Sequence, residues 1–182
     1  EDRNFIIGAS ALNNSYKNLD WRIEPVVDFE VTERTRVALG GEFARTTATG
    51  NFLKADVARH SYAGFTALQQ QIGTEGSIVR RMLLYPTLRY DVVRTGTETI
   101  THWSPQLGAV CSFQEVGGFL TPTFRASVSR NFRAPTFNEL FYAGGGGIGN
   151  PHLQPERSTS VDVGVDLTLS LAGTHHVQLS YF

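Results

Sequence analysis

Lysine, methionine, tryptophan and cysteine are all scarce in this 182-residue chain: two lysines (Lys17 and Lys54), one methionine, two tryptophans and one cysteine. Because Cys111 stands alone, it forms no internal disulfide, and cysteine usage is silent about the redox compartment. No apolar run nears the ~20 residues that a membrane-crossing helix needs, which excludes a helical membrane protein. A net charge of −1 supplies no global field for nucleic acid or anionic membranes, and no local basic patch of the nucleic-acid kind is present, so no nucleic-acid partner is expected. Residues 1–5 lack the charged start, apolar stretch and cleavage site of an export signal; an exported protein would have had it removed or would carry it upstream. Metal-ligand spacing is missing too. His175 and His176 are neighbours on a strand and face opposite ways, and His60, His102 and His152 are scattered, so neither a metal nor a cofactor is expected.

What the chain has in quantity is alternation. From Trp21, the residues Trp21, Ile23, Pro25, Val27, Phe29 and Val31 oppose Arg22, Glu24, Asp28 and Glu30. From Val161, the residues Val161, Val163, Val165, Leu167, Leu169 and Leu171 oppose Asp162, Gly164, Asp166, Thr168 and Ser170. A period of two is what a strand with two unlike faces requires. The same pattern places strands over 5–11, 21–31, 35–47, 57–72, 77–93, 103–114, 120–129, 161–171 and 175–182, about nine in all. Short polar turns are expected near 32–34, 73–76, 115–118 and 172–174, and longer segments at 12–20, 48–56, 94–102 and 132–157. Tight turns at one rim and long loops at the other mark an antiparallel up-and-down meander from a transmembrane β-barrel. A soluble β-sandwich, the competing reading, mixes both lengths at both ends. Pro25 and Pro122 fall inside strands, where a missing donor predicts bulges or local unpairing.

Burial assigns the faces. A charge at the bilayer midplane costs several kcal/mol, so the apolar face meets lipid and the polar face lines the lumen. Arg22, Glu24, Asp28, Glu30, Arg36, Glu42, Arg89, Asp91, Arg125, Asp162 and Asp166 are thus expected inside, in a wide, hydrated or plugged interior. With the short turns periplasmic, the Gly-rich segment around Gly144 is extracellular.

One stretch is more specific. Residues 131–156 read N-F-R-A-P-T-F-N-E-L-F-Y-A-G-G-G-G-I-G-N-P-H-L-Q-P-E. This resembles the barrel signature of the TonB-dependent receptors: a strand ending in F-R-A-P, an E-L followed by aromatics, then N-P-x-L-x-P-E opening the next strand. Phe132, Arg133, Ala134, Pro135, Glu139, Leu140, Asn150, Pro151, Leu153, Pro155 and Glu156 match that pattern in order. Upstream, Trp103-Ser104-Pro105-Gln106-Leu107-Gly108 looks like the family's Ser-Pro-x-Leu-Gly strand, and residues 127–130 like its lead into F-R-A-P. The resemblance is specific over about 102–171 and architectural before that.

The resemblance implies an outer-membrane receptor that takes up a scarce nutrient through a plugged barrel, with iron-siderophore, haem, cobalamin or oligosaccharide as ligand classes and the TonB complex as partner. Residues 1–182 are expected to be part of such a barrel without its plug domain, through which TonB acts, and without a TonB box. A porin or adhesin, an open or structural barrel, is the alternative.

On the residues alone, Pro135 ends the strand ladder and sets the angle at which the chain leaves it. Arg133, Glu139 and Glu156 are expected to pair at the rim as a structural clasp. Gly144 to Gly147 is read as a loop tip and not a phosphate cradle, because no Lys-Ser or Lys-Thr follows. Tyr142 and His152 are the candidate ligand contacts. His102, Ser104 and Asp91 lie near one rim, but nothing supplies Ser104 with a strained turn or oxyanion donors, and no catalytic residue is assigned. Finally, Arg45, Arg59, Arg94 and Arg130 break the apolar faces of their strands at the outward ends. They are expected to meet phosphates of outer-leaflet lipid, because an Arg fork suits phosphate and charges cost little at headgroup depth.

Overall fold

The computed structural model describes residues 16–51, 53, 56–73, 77–144 and 147–182. Its strands are β1 (Tyr16–Ile23), β2 (Val26–Thr32), β3 (Thr35–Gly50), β4 (Val57–Ile72), β5 (Val79–Thr95), β6 (Glu98–Phe113) and β7 (Leu120–Arg133). After the helix α1 (Phe137–Phe141) come the two-residue strands β8 (Ala143–Gly144) and β9 (Gly147–Ile148), then β10 (Glu156–Ser170) and β11 (Thr174–Tyr181). All but β8 and β9 join one nine-stranded antiparallel sheet in the order β1-β3-β4-β5-β6-β7-β10-β11, with β2 also on β3. From β3 onward each long strand pairs with the next long strand along the chain, as an up-and-down meander requires, while β1 and β2 both pair with β3. Among the described residues the sheet is open, edged by β1 with β2 and by β11.

β1 and β2 lie end to end on one line of pairing. Ile23↔Phe43 and Val26↔Gly40 keep the same register, and Gly41 N–H donates to the Pro25 carbonyl at 3.0 Å. Pro25 therefore removes one donor without making a bulge. Pro122 stays opposite Leu167, just beyond the last pair of the β6–β7 ladder, Ser112↔Thr123. Both prolines leave local gaps in the ladder, and the register runs straight through them.

Two expectations need correction. Residues 94–102 are not a long loop: β5 and β6 pair up to Thr95↔Glu98 and turn through residues 96 and 97, with Gly96 at φ +60°. A left-handed Gly in a two-residue hairpin turn matches the right-handed strand twist, and the Thr-rich flanks have the β preference to extend the ladder. Residues 16–20 likewise belong to β1, whose ladder begins at Tyr16↔Gly50. The expected strand over 5–11 lies outside the described residues.

Burial is inverted relative to a water-soluble sheet. The registers put Arg22, Glu24, Asp28, Glu30, Arg36, Glu42, Arg89, Asp91, Arg125, Asp162 and Asp166 on one face. The buried strand residues, Ala44, Ala48, Leu83, Asp91, Val93 and Thr95, share that face. On the other face, Leu39, Leu88, Trp103, Phe124, Val161 and Leu179 are exposed. An apolar face left bare while a carboxylate is 7% exposed belongs in lipid, with the polar face as the lumen.

Candidate functional site

The site is the segment between β7 and β10, folded back against the rim. Its base is a guanidinium held by two carboxylates. Arg133, ending β7, donates from Nε to Glu156 at 3.0 Å and from Nη2 to Glu156 at 2.8 Å and Glu139 at 3.0 Å. Arg133 and Glu156 are direct cross-strand partners, so β7–β10 pairing presents the fork to its acceptor.

Glu139 serves twice. Thr136 caps α1 by accepting from Glu139 N–H, and Glu139 Oε2 accepts from Thr136 N–H at 2.7 Å, a complete capping box. Those contacts hold the Glu139 carboxyl below the ordinary carboxylate range, the Thr136 N–H first and Arg133 next. The helix was not foreseen from the sequence, although Thr136-x-x-Glu139 is the signature of such a cap. Five residues make a helix too short to stand alone, and the ion pair at its third position and burial of Phe137 and Leu140 hold it in place.

The return path is tied to α1 by main-chain bonds. Gly149 N–H donates to Tyr142 O at 2.7 Å and Asn150 N–H to Glu139 O at 2.9 Å. A Cβ on Gly149 would come within 2.7 Å of backbone atoms of Leu140 and Phe141, so only glycine allows this approach. Asn150 then forms a tight turn, its Oδ1 accepting from His152 N–H at 3.0 Å and its carbonyl from Leu153 N–H at 3.2 Å. Pro151, Leu153 and Pro155 close with Leu140 over a cavity of about 130 Å³ whose other wall is Val93, Thr95 and Ile100. Phe132 stacks on His102 with ring centroids 4.6 Å apart. Leu53, from the segment between β3 and β4, bridges to Tyr142. Nearly every residue of the signature thus contacts another part of the same clasp.

Arg59 requires a correction. It is opposite Thr46 and Thr95 on the polar face, not the lipid face. Its Nε donates to Thr95 Oγ1 at 2.9 Å, its Nη2 donates to the carbonyl of Pro135, and its guanidinium lies 4.8 Å from the Phe137 ring centroid. One residue of register reverses a side chain's face, and the period near 57–61 is too weak to set it from the sequence. Arg59 is the anchor by which β4 holds the α1 segment. Arg45, Arg94 and Arg130 do lie on the apolar face.

Below the clasp, the lumen face carries a chain of charges across three strands. Arg89 on β5 reaches Glu42 on β3 at 2.6 Å and Asp91 at 2.8 Å, while Arg22 on β1 is 3.9 Å from Glu42 and 3.2 Å from Glu24. Arg125 and Asp166 pair between β7 and β10 at 2.8 Å. Asp91 is engaged by Arg89, His102 stacks on Phe132, and no contact brings Ser104 to either as a catalytic pair among the described residues. Of the two proposed ligand contacts, Tyr142 is half-buried in the clasp. His152 stands out from it, its side chain 81% exposed and 3.7 Å from Glu98.

A family described as "TonB dependent receptor-like, beta-barrel" matches residues 3–182. Comparison with curated proteins finds no match.

Proposed function

Because the chain belongs to the TonB-dependent receptor β-barrel family, whose members are outer-membrane transporters and not enzymes, we propose that it walls a barrel importing a scarce nutrient such as an iron-siderophore, haem or cobalamin. Binding at the extracellular mouth is followed by gated passage energised through TonB, which would act on a plug domain enclosed by these strands. One observation carries the reading: a charged, ion-paired lumen face lies under a loop clasped to the rim, an arrangement suited to a large polar occupant. Among loop residues, His152 is the better ligand contact, because Tyr142 is spent within the clasp. A porin or adhesin needs neither the clasp nor a coupled plug.

The test is accumulation of labelled iron chelates, haem and cobalamin by cells carrying the whole receptor, energised or with the proton-motive force collapsed. Uptake of one class only in energised cells is expected. Passage of small solutes unaffected by energisation would mean an open pore.

A further inference from the structure

Among the described residues, cations at lipid-facing strand positions gather toward one rim. Outward strand positions hold Lys17, Arg45, Arg94, Arg130 and Arg157, setting aside Arg80 at the irregular start of β5. Each lies close to the loop-side end of its strand: Lys17 one residue after Tyr16, Arg45 five before Gly50, Arg94 one before Thr95, Arg130 three before Arg133 and Arg157 one after Glu156. No Asp or Glu occupies an outward position in the described ladders.

Three basic side chains within this belt are contiguous. Arg45 on β3 pairs directly with His60 on β4, and His60 with Arg94 on β5, all facing outward; Trp21 on β1 flanks Arg45. Side chains directly opposite are ~5 Å apart, so the two guanidinium groups start ~10 Å apart and can converge on one anion over His60. Arg45 and Arg94 are exposed, and neither has an ion pair among the described residues. On the polar face, by contrast, Arg22, Arg36, Arg89, Arg125 and Arg133 each meet a carboxylate.

Depth supports the same conclusion. One pair further into the sheet comes Phe43↔Tyr62, then Tyr90↔Trp103, with Trp21–Phe43, Phe43–Tyr62 and Tyr90–Trp103 ring centroids 4.9, 5.1 and 4.5 Å apart. Such outward aromatics form the girdle at the lipid–water interface, so the cations just beyond them sit at headgroup phosphate depth. Arg94 already lies 6.0 Å from the Tyr62 ring centroid, which turns its fork toward the row.

We propose that Arg45, His60 and Arg94 form a binding site for the phosphate of an outer-leaflet lipid, with Trp21 and Tyr62 beside its headgroup and upper acyl chains. The guanidinium forks take the phosphate oxygens, and the phosphate relieves the repulsion within the row. Two guanidinium charges on one face, one strand apart and with no ion pair to either among the described residues, leave a place for an external anion between them. This site is independent of which nutrient passes through the lumen.

The experiment is native mass spectrometry of the whole receptor in neutral detergent, titrated with phosphatidic acid and, separately, phosphatidylcholine. Saturable binding of phosphatidic acid at least tenfold tighter than phosphatidylcholine is expected, falling at least tenfold in Arg45→Gln/Arg94→Gln and unchanged in Arg34→Gln at the opposite rim. Equal binding of the two lipids, or an equal loss in Arg34→Gln, overturns the proposal. Displacement of the lipid by 10 mM inorganic phosphate also overturns it, since the site would then recognise free anion. If the double variant does not fold, the native receptor still decides: lipid binding must weaken as salt rises, and salt-independent binding refutes a phosphate site.

Discussion

The two faces of this sheet hold the same guanidinium group in opposite ways. Inside, Arg89 lies between Glu42 and Asp91, whose side chains are only 11% and 10% exposed, so the charge is balanced across strands. Outside, Arg45 and Arg94 have no ion pair among the described residues and lie where the strands reach the headgroup layer. The difference follows from the surroundings. A lumen can hold ions of both signs because water and partners are at hand, whereas hydrocarbon offers neither. An arginine on the lipid side is therefore tolerated at the rim and excluded at mid-strand.

The sharpest break of this contrast comes from adjacent residues of β5. Leu88 faces out and Thr87 faces in. Leu88→Arg should cost about 2–4 kcal/mol of folding free energy in bilayers, and Thr87→Arg less than about 1 kcal/mol. Denaturant titration of refolding into vesicles measures both; equal costs would mean that the faces are wrongly assigned.

Next in size is Arg89→Gln, which leaves buried Asp91 without its cation and Glu42 with only Arg22, 3.9 Å away. Breaking a well-buried pair costs about 3–5 kcal/mol, and the partly exposed Arg89 reduces that to roughly 2 kcal/mol. The same titration reads it, and Arg89→Gln/Glu42→Gln should recover part of the loss.

Smaller effects belong to the clasp. Gly149→Ala forces the return path away from Leu140 and Phe141, so proteolysis within 142–152 should quicken several-fold while the unfolding midpoint of the barrel barely moves. Arg133→Gln should lower the yield of folded, heat-modifiable barrel; an unchanged yield would remove the clasp from assembly.

Least in size is a pH effect. Glu139 has a folded-state value below its unfolded one, so its contribution is present above the ordinary carboxylate range and is lost as pH falls through the lowered value. A spin label at exposed Ile148 should gain mobility in that acidic window and show none at neutral pH; no change in Glu139→Gln identifies the group.

The sheet was legible from the chain because a side-chain period of two is local. Trp21 to Val31 and Val161 to Leu171 show their lipid face with no other information, and residues 132–156 resemble the family whose model matches residues 3–182. Where pattern weakened, the reading failed. The weak period near 57–61 does not show that Arg59 faces the lumen, and the Thr-rich ends at 94–102 show no contrast between faces by which to tell strand from loop. The capping box at Thr136 and Glu139 was present in the sequence but hidden within a loop assignment.

What the sequence alone determined is the order of strands, their two faces and the family signature, all set by neighbours along the chain. Tertiary structure decided what depends on register between strands: that Arg59 grips Pro135, that Arg133 gathers Glu139 and Glu156, and that Arg45, His60 and Arg94 fall into one row. A strand's period fixes which residues share its face, but only cross-strand hydrogen bonding sets which residues of different strands meet.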